Sequence, residues 1–240
     1  VSTTSIVSTA TALGASRSDV DPPRVATAGV ATVERVPGRL ITIEGVDGAG
    51  KTTLARLLVP ALARRGVPVR LLREPGGVAT SEAIRRLVTD PALRVGARTE
   101  ALLYAAARAQ LVEELLAPTL ATGEWVLLDR FLDSSLAYQG GARGLGIETV
   151  RQMNAAATQG LVPDRTLLLD LDAVAARQRA RGRDEDADRL EREDDQFFER
   201  IRQAYLELAA AEPRRIQVLD AAAAPEAVLS QALSALSDLL

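Results

Sequence analysis

The sequence predicts an α/β fold in three layers, a five-stranded parallel sheet with helices packed on both of its faces. Short apolar runs of strand length recur along the chain and alternate with longer stretches whose apolar residues repeat at helical spacing. The first of these runs, Leu40-Ile41-Thr42-Ile43, is nearly continuous in its apolar character, as a strand buried on both faces is. A glycine-rich loop then joins that run directly to a helical pattern. Strands are expected at 39–44, 68–73, 125–129, 165–170 and 215–219. Helices are expected between and after them at 51–65, 80–89, 98–121, 147–159, 172–182, 189–211 and 225–238. In such sheets a ligand lies beyond the carboxyl ends of the strands, so those ends are where motifs should gather.

Composition narrows the chemistry. Of 240 residues, 47% are hydrophobic and 25% charged, ordinary for one globular domain or at most two. A formal net charge of -3 argues against a broad basic surface for a nucleic acid polymer. The chain contains no cysteine and no histidine, which excludes disulfides, Cys/His metal sites, thiol nucleophiles and imidazole bases. Carboxylates, arginines, a bound metal and one lysine remain. Phosphoryl transfer needs little more, because positioning and electrostatics supply most of its catalysis. No stretch reaches the roughly 18 consecutive apolar residues of a membrane span, so no membrane contact and a cytoplasmic location are expected.

Residues 1–37, dominated by Ser, Thr, Ala and Val, sustain neither period and read as a disordered extension; an over-long start would look the same. They lack the continuous apolar core of a secretory signal. A single domain is expected over 38–240.

The loop after the first strand is Gly45-Val46-Asp47-Gly48-Ala49-Gly50-Lys51-Thr52-Thr53. Its spacing, G-x-x-x-x-G-K-[ST], lets successive backbone N–H groups cradle phosphates while the lysine reaches the β/γ-phosphates and the first threonine ligates Mg²⁺. Leu54, Leu57, Leu58, Ala61 and Leu62 continue it as a helix, whose N-terminus favours anions. Lys51 is the only lysine in the chain. The second strand leads into Arg73-Glu74-Pro75-Gly76-Gly77, a rigid turn that could hold Arg73 or Glu74 toward a ligand or serve as a plain connection. Tyr104 and Arg108 share a helix face. They suit a nucleobase, or else are a core tyrosine beside a surface arginine.

The third strand ends in Asp129-Arg130, placed for a Mg²⁺-associated carboxylate and a phosphate-facing arginine. The following Phe131 to Gly141 offers hydroxyls, an aromatic ring and an amide ahead of a flexible Gly-Gly, suited to a sugar-and-base pocket or to a helix cap with a core tyrosine. After the fourth strand, Arg177, Arg179 and Arg181 precede Gly182 and a run, 183–195, in which 11 residues are charged. Such a run is commonly a solvated face; crowded arginines also suit a short lid, about 177–190, closing over phosphates. Phe197, Ile201, Tyr205 and Leu208 repeat at helical spacing and read as core.

Taken together, these stretches resemble the thymidylate kinase family of P-loop nucleoside monophosphate kinases. The resemblance covers about residues 39–240 and rests on Glu44 to Thr52, Arg73 to Gly77, Tyr104 to Arg108, Asp129-Arg130 through Gly141, and Asp188-Arg189-Leu190-Glu191 in that order. It implies a P-loop NTPase fold, with Gly45 to Thr53 holding ATP and Mg²⁺ held by Thr52 and Asp129. It further implies that Asp47 reaches the deoxyribose of dTMP, Tyr104 stacks on thymine, Arg108 contacts the base, Arg73 and Arg130 serve the acceptor, and Ser135, Tyr138 and Gln139 bind the nucleoside. One branch of the family has a catalytic arginine inside the loop. Here those positions are Val46, Asp47, Gly48 and Ala49, so the chain is similar to the branch whose lid supplies the arginines, a role that would fall to Arg177, Arg179 and Arg181 beside Lys51 and Arg130. A homodimer is also implied, for which helix 98–121 could offer the surface. A kinase for another nucleotide or nucleoside, and a non-catalytic nucleotide-binding or switch module, are the alternatives. Guanine-reading switches use an Asn-Lys-x-Asp element, which a chain with no second lysine cannot contain.

Overall fold

The computed structural model describes residues 38–181, 189–190 and 192–240. The expected extension at 1–37, and residues 182–188 and 191 of the expected lid and charge run, lie outside these. Five strands form one sheet: β1 (Leu40–Glu44), β2 (Val69–Arg73), β3 (Trp125–Asp129), β4 (Arg165–Asp170) and β5 (Ile216–Asp220). Their order is β2-β3-β1-β4-β5 and every pairing is parallel. Side chains alternate across the sheet and both faces are covered. Ile41, Ile43, Leu127 and Leu167 pack with Leu54, Leu58, Ile201, Leu208 and Val228 of the helices. Leu40, Val126 and Leu128 pack instead with Leu111, Leu116 and Phe131.

Every strand closes on a charged residue: Glu44, Arg73, Asp129, Asp170 and Asp220. Parallel strands bring these charges to one edge of the sheet, which is the edge that needs a ligand or partners to satisfy them.

The helices are α1 (Lys51–Ala63), α2 (Ala79–Thr89), α3 (Ala97–Leu111), α4 (Ala117–Ala121), α5 (Leu132–Ser135), α6 (Ile147–Thr158), α7 (Ala173–Arg181), α8 (Asp195–Ala211) and α9 (Pro225–Ala235). The helix expected at 98–121 is a continuous helical run broken by a widened π turn, Val112–Leu116, between α3 and α4. Pro118 has no N–H to donate, and the wider turn lies just ahead of it. The helix expected from 189 begins at Asp195, because the Asp194 carboxylate caps it, accepting from the Phe197 N–H at 2.7 Å.

The stretch expected to end in a flexible Gly-Gly is corrected by the structure. Here α5 runs into a second π turn, Leu136–Ala142, which contains both glycines. They are small because neighbours come close: a Cβ on Gly141 would lie 2.5 Å from the Ala204 Cβ of α8, and one on Gly140 would lie 3.1 Å from the Ile147 Cα of α6. The widened turn presses Tyr138 and Gln139 into the interior at the charged edge of the sheet.

Candidate active site

The loop from Gly45 to Gly50 leaves β1 and feeds α1. Gly48 sits at φ 87°, and a Cβ there would come within 1.9 Å of the Ala176 carbonyl oxygen of α7, so only glycine lets the loop and that helix meet. Lys51 opens α1 with its side chain buried. Its Nζ donates to the carbonyls of Gly45 (3.1 Å) and Val46 (3.0 Å) and lies 3.6 Å from the Asp47 carboxylate. Burial, together with the nearby Arg130 cation, lowers its proton affinity, while Asp47, Asp129 and Glu44 oppose that. Beside the loop opens a cleft of about 850 Å³, lined among others by Gly48, Gly50, Lys51, Thr52, Thr53, Arg73 and Asp129. Arg73 is exposed there and pairs with Glu82 at 3.1 Å.

Asp129 ends β3, and its Oδ1 is buried without a hydrogen-bond partner among the described residues. A buried lone pair left unsatisfied is costly, and a cation or its bound water would satisfy it. Among the described residues there is no cluster of three acidic ligands that could cage a metal. Thr52 and Asp129 on one cleft therefore fit an ion that keeps most of its waters and takes phosphate oxygens, as Mg²⁺ does.

Arg130 follows with φ 70°, a left-handed conformation unusual for a residue with a side chain. It is held there on several sides. Its N–H donates to the Ile43 carbonyl (3.0 Å), and its guanidinium donates to the Asp47 carboxylate (2.6 Å), the Gly45 carbonyl (3.1 Å) and the Ser134 hydroxyl (3.1 Å). The Tyr138 ring lies under it at 5.1 Å, and the Tyr138 hydroxyl donates to Asp47 at 3.2 Å. Burial alone would raise the Asp47 carboxyl, but Arg130 and Lys51 outweigh it and hold the group well below the usual carboxylate range.

A second pocket is lined by Tyr104, Arg108, Ser135, Tyr138 and Gln139, with Pro75, Thr89, Ser134 and Leu190. Of the residues expected to bind the acceptor, Arg73 alone lies outside its lining. Arg108 is not the surface arginine of the alternative reading; it is 2% exposed. Each of its nitrogens has a protein acceptor: Nε donates to Glu74 at 2.9 Å, Nη1 to Ser135 at 3.1 Å and to the Asn154 side chain, and Nη2 to the Phe131 carbonyl at 2.8 Å. Asp47, Glu74, Arg85 and Arg130 line both the cleft and this pocket and form the wall where the two meet.

Glu74 is buried, and its Oε1 lacks a hydrogen-bond partner among the described residues. Burial pushes its carboxyl from 4.5 up to about 7, the Arg108 guanidinium offsetting only part of the rise. A carboxyl that holds its proton more tightly folded than unfolded makes the fold lose stability as pH rises between those values. At about 1.36 kcal/mol per pH unit the loss from 4.5 to 7 is roughly 3 kcal/mol. Glu74→Gln is expected to flatten that fall, read from denaturation midpoints at pH 5 and pH 8. A variant as steep as the parent would remove Glu74 as its source.

Several residues that shape this site have no role assigned to them by the sequence. Glu44, fully buried, accepts from the Phe131 N–H (2.8 Å), the Ser134 hydroxyl (2.6 Å) and the Tyr205 hydroxyl (2.8 Å), so it fixes the start of the helical stretch carrying Ser135 to Gln139. Tyr205 is core by its ring, as its spacing implied, but its hydroxyl belongs to this network. Arg85 donates to the Pro75 carbonyl at 3.0 Å. No sequence signal separates it from its neighbour Arg86. Of the expected lid arginines, Arg177 pairs with Asp195 and lies over the Phe198 ring at 5.3 Å. Arg179 donates to the Ala221 carbonyl at 3.0 Å and lines a hollow beside Gly48, Ala49 and Gly50. The side chain of Arg181 lies outside the described residues.

A glycine-rich loop of P-loop spacing on a doubly covered parallel sheet, beside a second pocket that shares an arginine-bearing wall with its cleft, is the architecture of a P-loop phosphotransferase. The thymidylate kinase family model matches residues 43–232. A thymidylate kinase of Rhizorhabdus wittichii is 47% identical over 207 residues, covering 85% of this chain and 100% of that protein. One from Desulforudis audaxviator is 53% identical over 186 residues, 77% of this chain and 83% of that protein. The crystal structure of thymidylate kinase from Ehrlichia chaffeensis superposes with a TM-score of 0.68 at 30% identity, covering 84% of this chain and 99% of that one. The chain belongs to the thymidylate kinase family.

Proposed function

We propose a division of labour among these residues for the reaction of the family, the ATP-dependent phosphorylation of dTMP to dTDP. The observation that carries it is the shared wall: the P-loop cleft and the second pocket meet at Asp47, Glu74, Arg85 and Arg130. ATP is placed in the cleft, its phosphates on the backbone N–H groups of Gly45 to Thr53 and on Lys51. The acceptor is placed in the second pocket, its base beside Tyr104, Arg108, Ser135 and Gln139 and its sugar near Asp47 and Tyr138, with Arg130 and Arg73 toward its phosphate. A 5′-phosphate oxygen of dTMP attacks the γ-phosphorus in line, and the bond to ADP breaks. The acceptor is already an anion, so no strong base is required. Lys51, Arg130 and the arginines of 177–181 offset the charge of two approaching phosphates. Thr52 and Asp129 would hold Mg²⁺, which when bound neutralises charge on the donor phosphates.

A homodimer in the cytoplasm is part of the proposal. Leu102, 50% exposed on α3, supports an apolar contact on that helix. Among the described residues no helix is long and apolar enough to cross a membrane. ADP release measured with dTMP, dUMP, dCMP, dAMP and thymidine tests the assignment. The highest kcat/KM is expected for dTMP, and a strong preference for any other acceptor would overturn it.

A further inference from the structure

Hydrogen bonds to ions have a fixed sense. A carboxylate only accepts and a guanidinium only donates, so a neutral side chain held between such an ion and a ligand must turn a predetermined face to the ligand. Two residues lining the second pocket are held in this way. Ser135 accepts from Arg108 Nη1 at 3.1 Å, which leaves its hydroxyl proton for another partner. Gln139 donates its Nε2 to Glu100 Oε1 at 2.9 Å, which leaves its carbonyl oxygen as the end for the pocket.

Glu100 is not in the pocket lining. It is 0% exposed in the first turn of α3, and two further cations face it: Arg143 at 3.3 Å and Arg189 at 2.6 Å. Both of its oxygens accept, from the two guanidinium groups and from Gln139, so what Glu100 turns toward Gln139 is an acceptor. Arg189 is itself fixed, its N–H to the Thr89 carbonyl at 3.2 Å and its Nε to the Val88 carbonyl at 2.9 Å. The amide of Gln139 is thus locked by charges that lie behind the pocket.

We propose that Glu100 is a specificity-determining positioning residue: it fixes the Gln139 amide so that the pocket presents a carbonyl acceptor beside the Ser135 hydroxyl donor. With the Gln139 carbonyl set at N3 and the Ser135 hydroxyl at C4, that pair matches a lactam pyrimidine, in which N3–H donates and the C4 carbonyl accepts. In the same placement it opposes cytosine, in which N3 accepts and the exocyclic amine donates. The inference rests on the reading that the second pocket holds the acceptor's base.

The test compares kcat and KM for dTMP, dUMP and dCMP at saturating ATP in the parent chain, in Glu100→Gln, in Glu100→Asp and in the charge-balanced double variant Glu100→Gln with Arg143→Gln. A glutamine at 100 can donate or accept, so it no longer dictates the orientation of Gln139. Glu100→Gln is expected to raise KM for dTMP about tenfold and to lower the preference for dTMP over dCMP by at least about tenfold. The kcat for dTMP and the KM for ATP should stay within about twofold, a split that general loosening of the fold would not produce. Glu100→Asp, still acceptor-only, should keep the preference. A folded Glu100→Gln or double variant with the parent's preference overturns the inference, and unfolding of both would assign Glu100 a purely structural role and overturn it equally. A parent chain that fails to phosphorylate dTMP contradicts the reading of the site, whereas a parent preference that survives at 100 contradicts this inference alone.

Discussion

Lys51→Ala is expected to lower kcat by about 10³-fold while leaving the fold intact. Lys51 is the single lysine of the chain, and its ammonium is the cation carried by the phosphate loop itself. It is buried and held by two loop carbonyls and the Asp47 carboxylate, which places its charge before any ligand arrives. A cation already in place when charge develops on transferring oxygens costs no reorganisation, and loss of one such group costs about 10²- to 10³-fold in kcat. Arginine cannot replace it, because a planar fork needs more room than a compact ammonium and meets the same carbonyls in a different plane. Single-turnover transfer from ATP to dTMP measures the effect, and near-normal kcat in the alanine variant would remove Lys51 from the reaction.

Arg130→Lys is the second large effect, expected at about 10²-fold in kcat/KM for dTMP. The substitution keeps the charge and removes the fork. Arg130 reaches Asp47, Gly45 and Ser134 at once from a left-handed backbone, and it lies on the Tyr138 ring. A lysine can satisfy one of these partners and leaves the others, including the Asp47 carboxylate that Arg130 holds ionised, less well compensated. The loss should fall mainly on the dTMP terms, since the ATP cleft keeps its loop, Lys51 and Thr52. An equal rise in KM for ATP would show that Arg130 serves the loop rather than the acceptor.

The sheet was legible because parallel strands covered on both faces are written as apolar runs. All five appear within a residue of their expected bounds. The phosphate loop was legible for a related reason, since its backbone geometry demands particular residues at fixed spacing. The π turn at Leu136–Ala142 was not, because one extra residue in a helical turn leaves no mark on a short apolar pattern; its two glycines look like a hinge and serve close packing. The polar network beneath the site was hidden for another reason. Periodicity reports where the ring of Tyr205 lies and says nothing of its hydroxyl, which reaches Glu44 across 161 positions of sequence. Arg108 shares a helix face with Tyr104 by its spacing, but its burial against Glu74 depends on a contact 34 positions away. Glu100 and Arg85 carry no local signal, since each is one charged residue on a helix until tertiary contacts give it a partner.

We propose that donor and acceptor lie in two adjoining pockets, which share Asp47, Glu74, Arg85 and Arg130 as lining residues, so that a phosphoryl group passes directly between them. A compound joining adenosine and thymidine, 5′ to 5′, through a chain of phosphates probes both pockets at once. Inhibition kinetics and calorimetry should show one molecule bound per chain, competitive with ATP and with dTMP alike, and tighter than either nucleotide alone. Competition with only one of the two substrates, or two molecules bound per chain, would contradict the claim.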